Sequence, residues 1–121
     1  MVLTNFASAA VLDRETGLVW EKSPDTTIHN WGGALFTYTR RPTGNRKGWR
    51  LPSMPELASL IDPSVTAPGP TLPPGHPFTN VQSDFYWSAT AEADVPTIAW
   101  GVGFFSGLVD YNGKTGAGLA W

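Results

Sequence analysis

Over residues 97–105 the chain alternates between large apolar and small residues. Ile98, Trp100, Val102 and Phe104 fall on one face of an extended backbone, and Gly101 and Gly103 leave the other face bare. This is a strand pattern, and Phe85-Tyr86-Trp87-Ser88-Ala89-Thr90 reads as another. Ser106-Gly107 and Asn112-Gly113 are turn dipeptides that set the first run apart from Leu108-Val109-Asp110-Tyr111 and from the last run toward Trp121. The back third is therefore expected to be an antiparallel meander. Gly116 and Gly118 leave its terminal run lightly covered, a candidate pairing edge.

The front of the chain carries helical periodicity in two places. Trp31, Ala34, Leu35 and Tyr38 fall at i, i+3, i+4 and i+7 behind Asn30, whose side chain suits an N-cap. Farther on, Ser53-Met54-Pro55-Glu56 has the form of a capping box. Pro55 is tolerated in a first turn, Leu57, Leu60 and Ile61 form the apolar stripe, and Asp62-Pro63 is expected to end the helix. Residues 63–77 hold six of the eleven prolines and read as a long, stiff loop. With Leu18-Val19-Trp20 as an early strand, the order of elements predicts an α+β fold in a single domain over 1–121.

Composition agrees with a folded domain, at 41% hydrophobic and 15% charged residues with six Trp and six Phe. A net charge of −2 argues against nucleic acid as the default partner. The absence of cysteine removes thiolate nucleophiles, disulfides and Cys-ligated metals. No apolar run approaches the roughly 20 residues of a membrane helix, so membrane insertion is not expected. The opening MVLTNFASAAVLD shows no signal-peptide pattern.

Candidate chemistry is sparse. His29 and His76 lack metal-ligand spacing, and Asp84, Glu92, Asp94 and Asp110 form no hydrolytic motif. No cofactor or metal site is expected, and the chain reads as a non-enzyme. The sharpest surface signal is basic: Arg40, Arg41, Arg46, Lys47 and Arg50 are five of eight cations, gathered within eleven positions that contain no acid. They read either as a patch for a polyanion or as a solvated helix end favoured by the helix dipole. Phe105 and Tyr111 are candidate interface aromatics.

Five motifs occur in order: Asp13-Arg14-Glu15-Thr16-Gly17-Leu18-Val19-Trp20, Trp31 with Ala34, Gly48-Trp49-Arg50-Leu51-Pro52-Ser53 with Glu56-Leu57, Phe78, and Tyr86-Trp87-Ser88-Ala89-Thr90. Together they resemble the C-terminal domain of bacterial collagen-like adhesins, the Lcl C-terminal family. The resemblance implies a C-type-lectin-like fold, distantly similar to formylglycine-generating enzymes, whose RLP-x-x-x-E helix start recurs at Arg50, Leu51, Pro52 and Glu56. It further implies a bacterial extracellular or cell-surface module that binds a glycan or protein ligand, with sulfated glycosaminoglycans as a ligand class for the basic patch. Those enzymes work through cysteines, which this chain lacks.

Family members often carry a cysteine at the end of the first helix, where this chain has Tyr38, and a second near the C-terminus. The bridge the resemblance implies is absent, so packing has to supply the about 2–4 kcal/mol that such a bond contributes. Lectin-type calcium binding is not expected, because the Trp motif reads Trp87-Ser88-Ala89 and only Asp62 and Asn80 flank the proline loop. Trp20, Trp31, Trp49, Arg50, Leu51, Pro52, Glu56 and Trp87 are assigned to the fold, with Trp49 and Trp87 in the core and Arg50 partly buried on a carboxylate or carbonyl. Two functions follow: a calcium-independent adhesion module, or a structural subunit that assembles into a homo-oligomer through Phe105 and the terminal strand.

Overall fold

A computed structural model describes residues 9–41, 43, 48–65 and 69–121, together with the backbone of residues 2 and 3. Strands β1 (Val2–Leu3), β2 (Ala10–Leu12) and β3 (Val19–Glu21) form one antiparallel sheet, with Val11 opposite Trp20. The β2–β3 turn closes where the Gly17 N–H donates to Asp13 O at 2.8 Å, with Gly17 at φ +75°, a left-handed geometry that glycine adopts without steric cost.

Helix α1 (Trp31–Thr39) starts as its sequence predicts, with the Asn30 side chain accepting from the Gly33 N–H at 2.7 Å and Ala34 and Tyr38 buried. Helix α2 (Met54–Ala58) begins in the full capping box. Ser53 Oγ accepts from the Glu56 N–H, and Glu56 Oε1 accepts from the Ser53 N–H at 2.8 Å. It stops at Ala58, before Asp62-Pro63. Leu60 and Ile61 continue as a turn, where 3₁₀-type bonds run from the Leu60 N–H to Leu57 O and from the Ile61 N–H to Ala58 O.

Strands β4 (Phe85–Ala91), β5 (Ile98–Gly103) and β6 (Leu108–Gly113) form the expected meander, with Tyr86 opposite Val102 and Gly101 opposite Asp110. Ser106-Gly107 makes the β5–β6 turn. Asn112 and Gly113, expected in a turn, instead lie at the end of β6, where the register with β5 extends to Ile98 opposite Gly113.

Neighbouring residues of β4 point to opposite faces, and each face has its own core. Tyr86 joins Val102, Phe104, Leu57, Leu60, Leu72, Trp20, Leu119 and Trp121, whereas Trp87 joins Ala99, Ala34, Tyr38, Leu51 and Ala120. The sheet is therefore covered by α2 on one side and α1 on the other. The face expected to be bare at Gly101 is occupied: a Cβ there would come within 2.4 Å of the Phe85 ring and 2.3 Å of Tyr86 O. Glycine is required at this position because another chain segment lies in the space.

Residues 118–121 form no open edge. The Trp87 N–H donates to Leu119 O at 2.8 Å, the Leu119 N–H donates to Phe85 O at 2.9 Å, and Gly118 and His29 exchange both backbone bonds. Trp121, 2% exposed, packs edge-on against Trp20 and Phe78, with ring centroids 5.7 and 4.8 Å away. An assembly surface on the terminal strand is thereby corrected, since that strand is internal. Within the proline-containing segment after α2, Thr71 and Leu72 are held inward. Thr71 is fully buried, its N–H and hydroxyl both donating to Phe104 O, and Leu72 joins the core.

Candidate functional site

The motif at Trp49 and Arg50 ends up at the surface, contrary to the expectation of a core tryptophan and a partly buried arginine. The Arg50 side chain is 58% exposed and grips Glu56 with two parallel bonds, from its two terminal nitrogens to Oε1 and Oε2 at 2.8 and 2.9 Å. Because Glu56 also accepts from Ser53, one carboxylate ties the Arg50 turn to the start of α2. The Arg50 bond, opposed by partial burial and aided by the Ser53 amide, pulls the Glu56 carboxyl from 4.5 to about 2. The physical reason for the exposure is local: a bidentate partner six residues away satisfies the guanidinium without burying it.

Trp49 is half-buried and donates from Nε1 to Thr43 O at 3.0 Å. With Gly48, Arg50, Pro52 and Glu56 on one side and Leu18, Val19, Trp20, Glu21 and Trp121 on the other, it lines a cleft of about 190 Å³. One wall residue, Trp20, is 5% exposed, and its buried Nε1 has no hydrogen-bond partner among the described residues. The cleft thus combines indole surface and an exposed ion pair. A wider groove of about 450 Å³ runs between residues 11–15 and 73–78, walled largely by prolines, Leu60, Leu72 and Phe78.

Behind the cleft lies a buried polar knot that sequence reading did not detect. Glu21, 2% exposed, accepts from the Tyr38 hydroxyl, from the Thr43 hydroxyl and from Arg41 Nε at 2.8 Å. Burial first, and then the Glu21 carboxylate, push the Tyr38 hydroxyl far above its usual range. The carboxylate also outweighs the effect of burial on Arg41 and raises its affinity for its proton. The Tyr38 hydroxyl also lies 3.4 Å from Ala120 O. Trp121 Nε1 in turn donates to Glu21 O at 3.0 Å, so β3, α1 and the last residues are joined in one network. The signal in sequence was a lone Glu21 in an apolar strand, uninformative without its partners.

Of the described cations in the basic run, Arg41 is drawn into this network, while Arg40 and Arg50 remain exposed. Arg41 turns inward to Glu21, Arg50 is engaged with Glu56, and Arg40 lies over the Phe36 ring at 4.5 Å from its centroid. Arg46 and Lys47 lie outside the described residues. Trp20, Leu51, Pro52 and Trp87 are all buried. Trp31 is half-buried, with Nε1 donating to Ser88 O at 2.9 Å. Phe105 and Tyr111 are 52% and 56% exposed. His29 bonds Asp25 Oδ2 at 3.0 Å, and His76 stacks on Phe78 and accepts from its N–H.

Among the described residues, no group of three His, Asp or Glu side chains is placed to hold a metal ion, and no helix is long and apolar enough to cross a membrane. No curated protein and no solved structure matches the sequence. The family model of the Lcl C-terminal domain matches residues 9–121, which takes in both sheets' cores, the capping box and the cleft. The chain thus belongs to the Lcl C-terminal domain family, whose members are bacterial modules of adhesin type.

Proposed function

We propose that this chain is a non-enzymatic, calcium-independent recognition module of C-type-lectin-like fold, displayed outside the cell, and that it holds a glycan residue in the Trp49–Arg50–Glu56 cleft. The observation that carries this reading is the cleft's composition. An accessible indole stacks on the apolar face of a sugar ring, and an exposed guanidinium–carboxylate pair offers donors and acceptors to hydroxyls. A volume of about 190 Å³ suits one sugar ring. The carboxylates beside it are committed to cations, Glu21 to Arg41 and Glu56 to Arg50, which supports recognition without calcium.

The test is titration of neutral and sulfated oligosaccharides, read by tryptophan fluorescence, against the wild type, Trp49→Ala and Arg40→Ala. Loss of binding in Trp49→Ala alone, with cooperative unfolding retained, supports the cleft. Loss in Arg40→Ala alone moves the site to the helix end and favours polyanions. Absence of any glycan binding overturns the reading in favour of a protein ligand. The alternative, a self-assembling structural subunit, draws on one observation: Phe105, Leu108, Val109 and Tyr111 form an exposed apolar strip.

A further inference from the structure

The sheet β4–β5–β6 has two edges, finished in different ways. Beyond β4 the terminal segment supplies the missing partner, through the Trp87 and Leu119 bonds described above. Beyond β6 no strand stands among the described residues, although Leu108 is 67% and Val109 43% exposed beside Phe105 and Tyr111. An apolar edge of this kind is a template onto which a second chain adds a strand.

The register shows which backbone groups that second chain would meet. The Lys114 N–H donates to Thr97 O at 2.8 Å, and Gly101 stands opposite Asp110. Because antiparallel bonding alternates, residues 108, 110 and 112 direct their backbone groups to β5, while 109, 111 and 113 direct theirs outward. Two of those three outward N–H groups are already occupied. The Tyr111 N–H donates to Asp110 Oδ1 at 2.8 Å, and the Gly113 N–H donates to Asn112 Oδ1 at 2.9 Å. In both cases the preceding residue, Asp110 or Asn112, places its own side-chain oxygen where an incoming strand's carbonyl would bind.

We propose that Asp110 and Asn112 close the β6 edge against strand addition by a second copy of this chain. Charge acts in the same direction. A two-fold pairing centred on Asp110 would set two carboxylates opposite each other, and one centred on Tyr111 would set Asp110 against Asn112 and require both local bonds to break. The apolar strip stays exposed without becoming an assembly surface because two of its three outward donors are taken.

The experiment is light scattering of the whole chain from micromolar to millimolar concentration. The wild type and Asp110→Asn, which keeps an acceptor oxygen, are expected to remain at the 13.1 kDa of one chain. Asp110→Ala/Asn112→Ala is expected to rise with concentration to about twice that mass through edge pairing. Adding Val109→Pro, whose lost N–H is an outward one, is expected to restore the single-chain mass. A double-alanine variant that stays monomeric overturns the proposal. So does association that persists with Val109→Pro, and so does a wild type that already pairs through β6.

Discussion

Glu56 is the residue whose removal tests the Arg50 motif most directly. Its carboxylate accepts three bonds, one from the Ser53 amide and two from Arg50, and these hold it at about 2 instead of 4.5. Taken at full value, that displacement corresponds to about 3 kcal/mol of stability above the unfolded value. Arg50 is 58% exposed, however, and solvent screening reduces the ion-pair share to about 1 kcal/mol. The Ser53 cap adds about 1 kcal/mol. Glu56→Ala should therefore lose about 2 kcal/mol, and Glu56→Gln and Arg50→Ala about 1 kcal/mol each.

The sign with pH follows from the depressed value. The contribution is fully present above pH 4.5 and disappears as pH falls through about 2, because the unfolded carboxyl takes its proton first. Urea denaturation of the wild type and Glu56→Gln at a series of pH values reads this as a gap. The gap should be about 1 kcal/mol at pH 6 and close to zero near pH 2. A gap of constant size across that range would refute the assignment of stability to the ionised pair and leave only shape and packing.

The buried knot makes a second prediction. Tyr38→Phe leaves Glu21 short of a donor and should cost about 1–3 kcal/mol, while Glu21→Ala, which strands Arg41 as well, should cost about 3 kcal/mol or more in the same assay. Since the Tyr38 hydroxyl is raised above its ordinary value of 10.0, it should stay protonated beyond pH 10 in the folded chain by ultraviolet titration. The unfolded phenol gives up its proton first there, so stability should fall as pH rises past that point. A third prediction concerns space: Gly101→Ala should lower the melting temperature on the order of 10 °C, because its methyl would meet Tyr86 O and the Phe85 ring. An unchanged melting temperature would show that Phe85 can leave that position freely.

Much of the local architecture was written in short-range pattern. The Ser53–Glu56 box, the Asn30 cap, the alternation of β5 and the Ser106-Gly107 turn each depend on groups within a few residues of one another, so their sequence spacing carries their geometry. The end of α2 was misjudged for the same reason in reverse: 3₁₀-type bonds closed the turn before the proline signal applied.

The functional surfaces were decided at long range. Arg41 looked like a surface cation until β3 brought Glu21 to it across 20 positions, and the terminal strand looked like an open edge until Phe85 and Trp87 bonded it. Trp49 was expected in the core as half of a buried structural pair with Arg50, but it bonds Thr43 O and lines a cleft. By itself the sequence determined the elements, their order and the family signature, since these rest on local propensity and spacing. Which charges face solvent, which edge is covered and where a cleft opens were decided only by the tertiary structure, because each depends on partners brought together by the fold.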